Sequence, residues 1–173
     1  MDSWITEIMA ALFIGAAFIS DIKSMTISNK LNVGFLAAGI SYHVIAGGVA
    51  GGLHALAGAA AGLVPLLLLY LLKGIGAGDV KFFAALGAIL GMEDVLQVMM
   101  YAILYGGLMG AVTLLFNRSF GRRLLFGAVS VIVAESRLQA WEASFANSGS
   151  LRFPFMIAVL PGAVTAWFMI APL

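Results

Sequence analysis

Long apolar runs separated by short polar or glycine-rich breaks set the pattern of this chain. A helix needs roughly 20 apolar residues to cross a bilayer. On that measure, residues 4–20, 31–49, 53–72, 95–116 and 154–170 predict five spanning helices. A shorter run, residues 79–91, predicts a sixth that is tilted, buried among the others, or extended by the glycines before it. Asp21 ends the first run and opens a polar loop containing Lys23 and Lys30, in which Ser28 or Asn29 caps the next helix. Gly47, Gly48, Gly51 and Gly52 predict a flexible turn, and Met92, Glu93 and Asp94 a brief acidic loop. Gly58 with Gly62, and Gly106 with Gly110, have the spacing that lets helices approach closely. Residues 118–152 are the least regular part. Within them Leu138, Trp141 and Phe145, with Arg137, Gln139 and Glu142 between, suit an amphipathic helix lying at the membrane interface.

Composition agrees. Of 173 residues, 62% are hydrophobic and 10% charged, and the mean hydropathy is +1.07. Soluble domains carry about a quarter charged residues. The expected fold is therefore an all-α integral membrane protein of about six transmembrane helices plus a cytoplasmic interfacial helix. Residues 1–173 are expected to form one membrane-embedded domain, its first helix a retained span rather than a signal peptide. A net charge of +1 gives no argument for nucleic acid as a partner, and the absence of cysteine excludes disulfides and cysteine-ligated zinc.

Lysine and arginine placement orients the spans. Lys23, Lys30, Lys73, Lys81, Arg118, Arg122, Arg123, Arg137 and Arg152 are all nine basic residues, and all fall on one side of this map. The opposite side carries Asp2, Glu93 and Asp94. The basic side is the cytoplasmic one, and both termini are expected outside.

Two aspartates at matching depth then stand out. Asp21 closes the first span and Asp79 opens the fourth, both at the cytoplasmic side. Ionisable residues at such positions are costly and are functional candidates, although Asp79 alone also reads as a helix cap. If the two helices are neighbours, the carboxyls converge. Two carboxyls in one site do not both ionise easily, so one keeps its proton and the pair titrates as a unit. One then takes a proton from water while the other polarises a carbonyl, which is what metal-free aspartyl peptide hydrolysis requires.

The residues around these aspartates carry a resemblance. Gly76-Ala77-Gly78-Asp79-Val80-Lys81 resembles the GxGD motif of the type IV prepilin peptidases, which are membrane aspartic proteases. Asp21 followed by Ile27-Ser28-Asn29 resembles their other motif, with Ser28 in place of the usual proline in Ile-Pro-Asn. Arg152-Phe153-Pro154-Phe155 resembles the element that opens their last helix. The resemblance implies that Asp21 and Asp79 are the catalytic pair, with Gly76, Gly78, Lys81, Asn29 and Lys23 in support. It implies cleavage of the leader from prepilin-like substrates at the cytoplasmic face of the bacterial inner membrane, without cofactor or metal. The pilus-assembly machinery would be a further partner. Larger family members also methylate the new N-terminus and bind zinc through paired cysteines. This cysteine-free chain looks like the short, peptidase-only branch associated with tight-adherence (Tad) pili.

Blander roles fit some of these residues. Lys23 and Lys81 fit interfacial anchoring as well as site tuning, and capping accounts for Asn29. His43 and His54, near the outer ends of adjacent spans, make an incomplete metal site and fit packing roles better. Rival functions are a small transporter with a carboxylate relay and a non-catalytic pilus-assembly subunit. A relay predicts acids at several depths, whereas the span interiors hold none apart from Glu7 near the outer end of the first.

Overall fold

The computed structural model describes residues 3–72, 75–116 and 155–170. They form five helices in chain order: α1 Ser3–Ser24, α2 Asn29–Leu71, α3 Ala77–Leu90, α4 Met92–Phe116 and α5 Met156–Ile170. There is no strand among the described residues. Of the helices, α1, α2 and α4 are long and apolar enough to cross a membrane, and α5 is a shorter apolar helix. Large apolar side chains such as Ile8, Leu12, Ile19, Leu68, Leu104 and Phe168 are exposed on the outer faces. In water such a surface would be an aggregation patch; in a bilayer it is the lipid contact.

The chain divides into two compact units. One comprises residues 1–106 and 154–173. The other comprises residues 107–153, of which the end of α4 is described.

In the first unit α2 is two helices joined at Gly48, which has φ 59° and ψ −143°. That region of backbone space is open essentially to glycine alone. The arms, residues 29–47 and 49–71, fold back on each other there: a Cβ on Gly51 would strike the His43 carbonyl, and one on Gly52 would press on Val44. The glycine turn predicted between two spans is thus a helical hairpin.

α3 packs against both arms. A Cβ on Gly39 of the first arm would lie 2.9 Å from the Ala88 carbonyl oxygen. On the second arm, one on Gly58 would strike the Gly87 carbonyl and one on Gly62 the Phe83 carbonyl, while one on Gly87 would strike Gly58. These are backbone contacts, as the small-residue spacing predicts. α3 is 14 residues long, and Val80 together with every residue from Phe82 to Ile89 is buried. A helix apolar all round belongs in an interior. Of the three options for the short fourth run, burial among other helices is the one the fold takes.

α1 presents Ala10, Phe13 and Ala17 inward, with Asp21 one turn further on, a stripe at helical spacing. Phe13 stacks on Phe35 of α2 and Phe82 of α3, with centroids 4.7 and 4.8 Å away. α5 meets α4 closely, where a Cβ on Gly162 would lie 2.7 Å from the Ala102 nitrogen, and the Tyr105 and Thr165 hydroxyls are 3.0 Å apart.

Three boundaries differ from the sequence expectation. α1 continues through Asp21 to Ser24. Glu93 and Asp94 belong to the first turn of α4, not to a loop, where negative charge is favourable to the helix dipole. Only Gly91, at φ 93°, separates α3 from α4. The proposed interfacial helix, Lys73 and all five arginines lie outside the described residues.

The histidines have packing roles. His43 is buried and its Nε2 donates to the Ile89 carbonyl at 3.0 Å, one of the carbonyls that the end of α3 leaves unpaired. The His54 ring lies 5.4 Å from it. No cluster of three or more metal-ligating side chains occurs among the described residues.

The glycine contacts make a stability prediction. Gly62→Ala and Gly87→Ala should each destabilise the protein by about 1–3 kcal/mol or more, because backbone has to move. Gly34→Ala, with nothing within 4 Å of the added methyl, should be neutral or stabilise by up to about 1 kcal/mol. Thermal unfolding in detergent separates the two classes.

Candidate active site

The end of the bundle where α1 finishes and α3 begins gathers the polar residues. Asp21 is 6% exposed. Its Oδ2 accepts the N–H of Met156 at 3.1 Å. Met156 is the first residue of α5, so the carboxylate satisfies one of the N–H groups that a helix start leaves unpaired. Negative charge is favoured at that position.

Asp79 is the third residue of α3, and the helix cap is Gly76 rather than the aspartate. Asp79 Oδ2 accepts the Gly76 N–H at 3.3 Å, the reach-back half of a capping box. The carboxyl is half-buried and close enough to Asp21 to feel its charge. Two aspartates that the sequence placed at one depth are thus brought into electrostatic reach from different helices.

The loop after Asp21 keeps them together. The Met25 N–H donates to the Asp21 carbonyl at 2.7 Å, and Met25 has φ 50°, the one non-glycine residue with positive φ among those described. Ser20 Oγ and Ser24 Oγ both donate to the Thr26 carbonyl, at 3.0 and 3.1 Å. This knot turns Ile27 inward, where it is buried. Its backbone nitrogen is 3.8 Å from where a Cβ on Gly78 would sit. Two residues on, Asn29 Oδ1 accepts a hydrogen bond from Lys81 Nζ at 3.0 Å. The loop is therefore stapled to the first turns of α3.

These contacts revise several roles read from sequence. Ser28 is the α2 cap by backbone, but its side chain makes no capping bond, and the Asn29 side chain goes to Lys81 instead of a cap. Lys81 meets Asn29, not a carboxylate. Lys23 is exposed in the last turn of α1, and no hydrogen bond or ion pair brings it to the site among the described residues. Neither motif glycine has positive φ, so a tight left-handed turn is not why they are there. Gly76 leaves room for the carboxyl it bonds: a Cβ there would lie 3.2 Å from Asp79 Oδ2. Gly78 meets Ile27 at ordinary contact distance. The Met156 N–H and the serine–threonine knot were missed, the first because it is backbone and the second because Ser and Thr are unremarkable in a loop.

Ser28 stands where the resembling motif has proline, and its φ of −61° is one that proline adopts without strain. Ser28→Pro should therefore be tolerated and raise stability by about 0.4–1 kcal/mol through the unfolded chain. A rise in melting temperature in detergent is the expected result.

Comparison with known proteins identifies the family. Residues 8–113, which include both aspartates, match the model of the type IV leader peptidase family. Over 112 residues the chain is 33% identical to the prepilin leader peptidase/N-methyltransferase of Bacillus subtilis (strain 168), a match covering 62% of this chain and 44% of that protein. The chain thus spans less than half the length of this curated relative. No solved structure gives a significant match. With well over half of its residues matched, and with the two aspartates inside the match, the chain belongs to the type IV leader peptidase family.

Proposed function

We propose that this membrane protein is an aspartic endopeptidase that removes the N-terminal leader from prepilin-like substrates, with residues 1–173 acting as one peptidase domain. The observation that carries the proposal is the enclosed Asp21 within electrostatic reach of Asp79. Asp21, held at the α5 N-terminus by Met156, takes the ionised role, and Asp79 carries the proton. Asp21 removes a proton from water as its oxygen attacks the scissile carbonyl carbon, and Asp79 gives its proton to the carbonyl oxygen. Collapse of the resulting diol breaks the C–N bond and sends a proton to the leaving amine. Gly76 and Gly78 set the start of α3, and the Asn29–Lys81 bond holds the loop against it.

The assigned activity is leader cleavage, with no methyl transfer expected. Within the family we assign the chain to the branch associated with tight-adherence pili, on the motif resemblance and the absence of cysteine ligands from these residues. The active side is the cytoplasmic face of the inner membrane, because all nine basic residues fall on that side of the span map.

Asp21→Asn and Asp79→Asn should each reduce prepilin cleavage by roughly 10³-fold or more, and the double variant should be little worse than either single. The amide retains an oxygen to accept from Met156 or Gly76, so membrane insertion should be unchanged. Cleavage is measured at equal amounts of folded enzyme. A substantial residual rate in either amide variant would show that the aspartyl mechanism is wrong.

Topology has its own test. Reporter fusions at Gly48 and Asp94 should read as external, and one at Asn117 as internal. The reverse pattern would move the carboxylates to the outer face and refute cytoplasmic processing.

A further inference from the structure

Asn32 is 3% exposed, and neither its Oδ1 nor its Nδ2 has a hydrogen-bond partner. A side-chain amide has an acceptor oxygen and two N–H donors to satisfy. Leaving all of them unmade in an apolar interior costs stability. The other buried polar side chains each have at least one partner: Asp21 has the Met156 N–H, and His43 has the Ile89 carbonyl at Nε2 while its Nδ1 stays unpaired. Leucine, branched at the same carbon, would fill the position without that cost. A residue that weakens the fold where it sits is a candidate for work done on something else.

Its place in the fold says what. Asn32 is one turn beyond Asn29 and one turn before Phe35 on α2, about 4.5 Å along the axis from each. Asn29 bonds Lys81, two residues past Asp79. Phe35 stacks on Phe13, which stacks on Phe82. Asn32 therefore lies in the layer between the aromatic stack and the carboxylates. On the inward stripe of α1 the residue between Phe13 and Asp21 is Ala17, buried and small, which offers the amide no partner.

A peptide must be unwound around its scissile bond before a carbonyl carbon can be attacked. In an apolar surrounding the freed N–H and C=O groups then need partners. The asparagine amide presents a donor and an acceptor side by side, the complement of a peptide group.

We infer that Asn32 is a substrate-binding residue whose amide hydrogen-bonds the main chain of the extended peptide held across Asp21 and Asp79. This rests on the peptidase reading above. Asp21 is itself buried, so a peptide that reaches its carboxylate has to open the packing at this end of the bundle.

The test compares full-length wild type with Asn32→Leu in detergent, using a prepilin with a basic leader as substrate. Asn32→Leu should unfold at a higher temperature, by roughly 2–4 °C, yet cleave with kcat/KM lower by about tenfold or more, most of it in KM. Asn32→Ala should lose activity to the same extent, and serves if leucine blocks insertion. In the Asp79→Asn background, prepilin should raise the melting temperature, and less so when Asn32→Leu is added. A lower melting temperature for Asn32→Leu with activity lost in step would make the amide structural and overturn the inference. So would wild-type kcat/KM in either Asn32 variant. Failure of wild type to cleave any prepilin would instead sink the peptidase reading itself.

Discussion

The carboxylate end of this protein depends on how closely α3 is held. Backbone-to-backbone contact at Gly58, Gly62 and Gly87 presses α3 onto the second arm of α2, and Gly39 does the same from the first arm. In lipid there is little hydrophobic drive between helices, so close packing has to supply the attraction. A helix gripped on both sides is a rigid mount. Its buried length, from Phe82 to Ile89, lies within the bundle, while its first turn emerges at the polar end carrying Asp79. The glycine contacts one and two turns further along α3 set the depth of Asp79, and the Gly76 N–H holds its carboxyl.

Asp21 is fixed by a different kind of force. It lies at the end of the α1 stripe whose Phe13 stacks into the same core, and the α5 helix start reaches it through Met156. The carboxylate gains a donor and a favourable dipole, and the helix start gains a cap. One acid therefore sits against a helix N-terminus supplied by a distant part of the chain, and the other bonds the cap residue of its own helix. That asymmetry gives two chemically identical side chains different surroundings.

The loop between α1 and α2 links these two mounts. Its hydroxyl knot, the inward Ile27 and the Asn29–Lys81 bond tie the segment just after Asp21 to the segment just after Asp79. Motion of α1 relative to α3 would have to break or carry that staple. The two motif regions are thus tied into one assembly rather than standing as two independent segments.

Hydrophobic run lengths, glycine spacing and the placement of acids and bases were legible in the sequence, because they report local solvent preference and need no knowledge of neighbours. They identified the helices, the glycine turn that includes Gly48 and the packing role of Gly58 and Gly62, and they placed Asp21 and Asp79 at one depth. What depended on neighbours was not legible. Burial of the short α3 follows from its being enclosed by both arms of α2, which no property of residues 79–91 states. The cap at Gly76, the room Gly76 leaves for Asp79, and the Asn29–Lys81 bond arise from backbone geometry and from contact across 52 positions. The Met156 N–H is invisible to any reading of side chains, since every residue except proline carries one. Nothing in the sequence around Asn32 sets it apart. Only the tertiary structure closed the interior around it, because burial is a property of what surrounds a residue and not of the residue itself.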